Sequence, residues 1–159
     1  MEEIGAAAGI AGPSIYHHFD GKVDLLLSVV TRAVEYLQLG AAHAAAEASS
    51  PTEAVQMLVR SHVHLALAHA DLIATLVSEV VHLPPADEVQ IRLAKRDYLN
   101  EWVRVLRIAH PEQTPEEARV RSFAASIIVH HLEQLPRLRR RSNLEDDLVD
   151  IILSALCQT

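Results

Sequence analysis

The sequence predicts an all-α protein, and three observations carry that prediction. Half of the 159 residues are apolar but only 4% are aromatic, so Ala, Leu and Val supply the core, and Ala and Leu are strong helix formers. Only 5 Gly and 7 Pro occur, too few for a turn-rich β architecture. The β-branched residues recur in steps of three and four, not in the two-residue alternation of strands.

Residues 2–8 form a short Ala-rich helix ended by Gly9, and residues 12–19 a second one opened by Gly12-Pro13-Ser14. Pro13 suits a first helical turn, where its missing N–H costs nothing. Asp20-Gly21 makes a turn. From Val23, the positions Leu25, Leu26, Val29, Val30, Ala33, Val34 and Leu37 keep helical spacing, giving a long amphipathic helix to about Ala48. Ser49-Ser50-Pro51 breaks it, and Thr52 is placed to cap the next helix. That helix carries Val55, Leu58, Val59, His62, Val63, Ala66 and His69 on one broad stripe.

Asp71 opens a shorter segment with Leu72, Ile73, Leu76, Val77 and Val80, stopped by Pro84-Pro85. A helix from about Ala86 to Ala109 bears Leu93, Leu99, Trp102, Val103 and Leu106. Thr114-Pro115-Glu116-Glu117 combines a cap, a first-position proline and a third-position glutamate, a strong helix start. The helix it opens, 115–135, places Val120, Phe123, Ala124, Ile127, Ile128, His131 and Leu135 on its apolar side, and Pro136 closes it. Asn143 caps a last helix, 143–156, with Leu144, Leu148, Ile151, Ile152, Ala155 and Leu156 inside. Its early acids Asp146 and Asp147 suit a helix N-terminus.

The formal net charge of −7 excludes a protein coated in basic residues for unspecific nucleic-acid binding. It leaves room for a local DNA-reading element. The single cysteine, Cys157, cannot form an internal disulfide and fits a reducing compartment. The first residues are acidic where a signal peptide is basic, and no unbroken apolar run approaches the ~18 residues of a membrane span. A soluble, cytoplasmic protein is expected.

The informative stretch runs from Ile4 to Leu27. A short helix, a turn at Gly9-Ile10-Ala11 and a second short helix make a helix-turn-helix, with Gly9 supplying left-handed backbone geometry at the turn. Ile4, Ala8, Ile10, Ile15 and Phe19 are spaced to pack inside the crossing, which leaves Ser14, Tyr16, His17 and His18 outward. In this motif the second helix enters the major groove.

The run from Ile4 to Leu26, above all Ile15-Tyr16-His17-His18-Phe19 followed by Lys22 and Leu25-Leu26, resembles the DNA-binding signature of the TetR/AcrR family of transcriptional regulators. The resemblance implies that Gly12, Pro13, Ser14, Tyr16 and His17 lie where the recognition helix touches DNA, and that Lys22 contacts a phosphate. Three departures stand out. Ala11 replaces the usual Ser or Thr, and Gly12 replaces a frequent Arg or Lys. Only three residues precede Ile4, where the family has a first helix that often carries basic residues. Residues 1–40 hold five acids, Glu2, Glu3, Asp20, Asp24 and Glu35, against Lys22 and Arg32. The expectation is therefore a truncated DNA-binding domain over 1–22, a linking helix over 23–48 and a helical effector-binding and dimerisation domain over 49–159. A helical interaction or ligand-binding module without DNA binding is the alternative reading.

The same resemblance implies a double-stranded DNA operator, a small-molecule effector held among the middle helices, and a homodimer through the last two helices. Leu58, His62, Leu65, Leu76, Tyr98, Trp102, Phe123 and Ile127 are the pocket candidates by inner-face spacing, suited to an apolar or amphipathic ligand; plain core packing is the alternative for each. Ala124, Ala125 and Ser126 would let the dimer helices approach closely.

Ten histidines raise the question of metal. His62 and His69 share a helix face, and Glu79 with His82 could chelate at i, i+3, yet no His-Glu-x-x-His and no Cys/His cluster occurs. No nucleophile elbow, phosphate loop or dinucleotide fingerprint is present, so neither an enzyme nor a bound cofactor or metal is expected. Arg137, Arg139, Arg140 and Arg141 form a basic run that reads as a solvated loop or a contact for an acidic partner.

Overall fold

The computed structural model describes residues 18–130 and 141–157, and all regular structure there is helical. The α-helices are α1 (Lys22–Glu47), α2 (Pro51–Ala68), α3 (Ala70–Ser78), α4 (Pro85–Ala109), α5 (Pro115–Ile127) and α6 (Leu144–Cys157), with a 3₁₀ turn at Val80–His82 between α3 and α4. The two helical segments expected before Asp20 lie outside the described residues, except for His18 and Phe19 at the end of the second, which are not helical. So do 131–140, with Arg137, Arg139 and Arg140; the helix expected over 115–135 already ends at Ile127, and 128–130 form a turn.

Capping chemistry sets the starts. The Glu53 N–H donates to Ser50 Oγ at 3.2 Å, and the Glu53 carboxylate accepts the Ser49 N–H at 2.7 Å. The cap of α2 is therefore Ser50 and not Thr52, and Pro51, expected only to end the preceding helix, occupies the first turn of the next. At α5 the expected capping box is complete, with the Glu117 N–H donating to Thr114 Oγ1 and the Thr114 N–H to the Glu117 carboxylate at 2.8 Å. α2 and α3 meet at the single residue His69, whose N–H still closes α2 on the Leu65 carbonyl at 2.9 Å.

α2 is the central element, packed against α1, α3, α4 and α6. It buries Val55, Leu58, Val59, His62, Val63 and Ala66, while His69, expected on the same stripe, is exposed at the joint and stacks on Tyr36 of α1. α1 passes α2 so closely that a Cβ on Gly40 would run into the Ser61 hydroxyl. By length and composition α1 could cross a membrane, with a mean hydropathy of 1.2 over its most apolar window. Six of its apolar residues, Val30, Ala33, Val34, Leu37, Ala41 and Ala44, are buried against the rest of the fold.

α5 has two unlike sides, and Phe123 and Ile127, expected on the inner face, belong to the outer one. The side turned to the chain's own core is the small one, Ala118, Ser122 and Ala125. The bulky side, Val120, Phe123, Ile127 and Ile128, is exposed, and Ile151 on α6 is exposed with it. The C-terminal carbonyls of α6 are met by side chains: Gln113 Nε2 donates to Leu156 O at 2.9 Å and Arg121 Nη1 to Ala155 O at 3.1 Å. These bonds satisfy acceptors a helix end leaves open.

Candidate functional site

α1, α2, α3, α4 and α5 together enclose a cavity of about 350 Å³. α2 brings His62, α3 brings Ile73, Leu76 and Val77, and α4 brings Lys95, Arg96, Tyr98 and Leu99. α5 and the residues after it add Phe123, Ser126, Ile127 and His130, and α1 adds Leu37. The lining is mainly apolar, with its polar groups in two sets. One is buried and neutral; the other carries charge and faces the solvent side.

The buried set centres on His62, 3% exposed. Its Nε2 lies 3.0 Å from the Ser126 carbonyl oxygen, and its Nδ1 lies 3.0 Å from the Tyr98 hydroxyl. A carbonyl can only accept, so Nε2 carries the proton. Nδ1 of the neutral ring is then the acceptor, and Tyr98 donates to it. This tautomer is assigned from the hydrogen-bond network. Burial pushes the His62 imidazole down to about 4, against the opposing pull of the Ser126 bond, because charging a desolvated ring is costly. Burial likewise holds the Tyr98 phenol above its ordinary range, with the Trp102 indole acting the other way. Trp102 sits edge-on to His62 with ring centroids 5.3 Å apart, and its N–H forms no regular hydrogen bond among the described residues.

The charged set is Lys95 and Arg96, consecutive on α4. Lys95 is half-buried and donates to the Leu76 carbonyl at 3.3 Å. Its ammonium is held below the usual lysine range by burial first and by nearby Arg92 second. Arg96 is exposed and lies 3.5 Å from the Asp97 carboxylate.

Of the residues expected to form a pocket, His62, Leu76, Tyr98, Phe123 and Ile127 line this cavity. Trp102 is buried behind it against His62 and Tyr98. Leu58 does not line it, being 2% exposed in the core, and the half-buried Leu65 does not line it either. Phe123 and Ile127 were expected inside; they form its wall while remaining 55% and 42% exposed on the outer side of α5. Spacing did not single out Lys95, although its position three before Tyr98 and seven before Trp102 put it on their face of the helix.

Of the residues expected to touch DNA, Gly12, Pro13, Ser14, Tyr16 and His17 lie outside the described residues. Lys22 is the exposed first residue of α1. Asp24 in the same turn accepts the Asp20 N–H at 3.1 Å. No group of three His, Cys, Asp or Glu side chains among the described residues is placed to hold a metal ion. His82 and Glu79 stand 3.7 Å apart as an exposed pair.

Comparison with known families decides the lineage. Residues 1–29 match the model described as bacterial regulatory proteins, tetR family, and residues 48–137, more than half of the chain, match the tetracyclin repressor-like C-terminal domain. The chain belongs to the TetR family. TetR-family regulators bind DNA operators and act as dimers with small-molecule effectors. No curated protein sequence is significantly similar to this chain.

Solved structures share the TetR fold at low identity. The regulator PfmR from Thermus thermophilus is 16% identical with a TM-score of 0.81, over 98% of this chain and 86% of that one. A TetR-family regulator from Bordetella parapertussis is 15% identical with a TM-score of 0.84, over 98% and 81%. SCO3833, a TetR-family member from Streptomyces coelicolor, is 24% identical with a TM-score of 0.72, over 98% and 79%. This chain is accordingly a TetR-type DNA-binding transcriptional regulator with an all-α fold.

Proposed function

We propose that the protein is a cytoplasmic homodimeric repressor, released from its operator when a small apolar or amphipathic effector enters the cavity between α1 and α5. The observation that carries this reading is the position of α1. Leu37 of α1 lines the cavity, and the same helix begins at Lys22, about 22 Å away at 1.5 Å per residue. A ligand that pushes on Leu37 therefore acts on the rod that leads to the DNA-reading segment. The division into a reading head over 1–22, a linking helix over 23–48 and an effector and dimerisation domain over 49–159 belongs to the same reading. Within the head, Gly12, Pro13, Ser14, Tyr16, His17 and Lys22 are assigned to the DNA contact.

The exposed apolar residues of α5 and α6 support pairing with a second copy. Val120, Phe123, Ile127, Ile128 and Ile151 are too bulky and too contiguous in helical spacing to suit open water. A pair is also what a helix-turn-helix needs to reach two successive major grooves. An effector shifts the population between DNA-binding and released states by its differential affinity for them, and by nothing else. We assign the protein no catalytic step.

Phe123→Asp tests the pairing and its consequence together. Sedimentation should show a monomer, and fluorescence anisotropy should show DNA affinity lost with the dimer. A dimeric Phe123→Asp protein with unchanged DNA binding would place the partner surface elsewhere. A wild-type chain that binds no duplex above its affinity for unrelated DNA would favour the ligand-binding module.

A further inference from the structure

We propose that the cavity is built for a small carboxylic acid with an apolar body, its carboxylate held at Lys95 and its body among Leu76, Leu99, Phe123 and Ile127. This rests on the cavity being the effector site and names the chemistry of what fills it.

The assignment follows from counting donors. A ligand's polar end must find partners as it leaves water, because an unpaired buried polar group is costly. Three donors on the buried side of the cavity are already committed, and His130, which also lines it beside the His62 ring, is engaged as well. The His62 Nε2–H goes to Ser126 O, the Tyr98 hydroxyl to His62 Nδ1, and the Ser126 hydroxyl to Phe123 O at 2.8 Å. His62 is neutral there and offers no charge to an anion. Tyr98 Oη and Ser126 Oγ can accept a hydrogen bond, but none of the three groups can donate one without breaking an existing pair.

Lys95 is the opposite case. Its ammonium has three protons, and among the described residues one backbone carbonyl at 3.3 Å is its hydrogen-bond partner, with no carboxylate within ion-pair distance. Among the described residues three of the other four cations of α4 have acids beside them, Arg92 with Glu88, Arg104 with Glu101 and Arg96 with Asp97, and the fourth, Arg107, is exposed in the last turn, away from the cavity. Among the described residues Lys95 is the half-buried cation facing the cavity, and none of their carboxylates pairs with it. A carboxylate entering from the solvent side supplies that anion, and Arg96 stands next to it at the opening. A cationic head would meet Lys95 and Arg96 as like charges. A volume of about 350 Å³ lies at the small end of the ~300–1,000 Å³ usual for ligand sites, which suits a compact acid.

Three probes with one tail and different heads test this: octanoate, octanol and octylamine. Trp102 is the single tryptophan and lies against the cavity's inner wall, so its fluorescence reports occupancy, with calorimetry giving Kd. The expected order is octanoate tightest, octanol about tenfold weaker and octylamine weaker still. Lys95→Met should bring octanoate down to the octanol value and leave octanol unchanged, and Lys95→Arg should restore most of the preference. Equal binding of acid and alcohol by the wild type would overturn the acid assignment while leaving the cavity an apolar effector site. An unchanged octanoate Kd in Lys95→Met would overturn the role of Lys95. Binding of none of the probes would overturn the proposal, whereas DNA release by some other ligand type would show that the effector reading survives it.

Discussion

Acidification should strip stability from this fold through one residue, His62. Its imidazole falls from an ordinary 6.5 to about 4 in the folded protein. Because the folded value is the lower one, the unfolded chain takes up a proton that the folded chain refuses between those pH values. The contribution of the neutral, doubly bonded ring is therefore complete above about pH 6.5 and is lost as pH falls toward 4. At pH 4 the loss amounts to about 3 kcal/mol, from ~1.4 kcal/mol for each pKa unit, a large share of the ~5–15 kcal/mol that holds a domain folded. The comparison must isolate this residue. His62→Gln keeps an acceptor for the Tyr98 hydroxyl and a donor for the Ser126 carbonyl but has no proton to gain. Urea denaturation at fixed protein concentration, from pH 7 to pH 4, should show the wild type losing about 3 kcal/mol more than His62→Gln. Parallel profiles for the two proteins would refute the assignment of His62 as a buried neutral ring.

Three further perturbations test the packing around the site. Tyr98→Phe leaves His62 Nδ1 without its donor at 3.0 Å and should cost about 1–3 kcal/mol in urea midpoint terms; an unchanged midpoint would mean that water replaces the hydroxyl freely. Gly40→Leu drives a side chain into Ser61 where α1 and α2 touch, and about 1–3 kcal/mol of overpacking should appear as a lower midpoint; a neutral result would show that the two helices can separate there without loss. Thr114→Ala removes the capping box of α5 at about 1 kcal/mol, a fall of roughly 2–4 °C in Tm for a chain of this size, and an unshifted Tm would mean that α5 starts as well without its cap.

Helix existence was legible because spacing and capping residues say the same thing: the stripe of α1 and the Thr114–Glu117 box needed no tertiary information. Ser50-Pro51 shows where that fails, since proline ends one helix and opens another, and only the Ser50 to Glu53 bond tells which. α5 shows a second limit. It has a small face and a bulky face, and periodicity finds both without saying which one the chain covers itself. Phe123 and Ile127 were thus expected inward, while the structure turns Ala118, Ser122 and Ala125 inward instead. Leu58 and Leu65 flank His62 on one helix but do not line its cavity, because a helix face is wider than the opening it borders. The pairing of His62 with Ser126 spans 64 positions and leaves no local signature. Lys95 was passed over because a lysine in a charged helix reads as solvated; its register with Tyr98 and Trp102 was the available signal.

In the function proposed above, two copies of this chain read DNA together. In vitro selection from a random duplex pool with this chain, followed by footprinting, tests it most directly. An enriched inverted repeat is expected, its protected half-sites about 34 Å, or one helical turn, apart or a multiple of that. Enrichment of no sequence, or of a lone asymmetric site filled by a single chain, would contradict it.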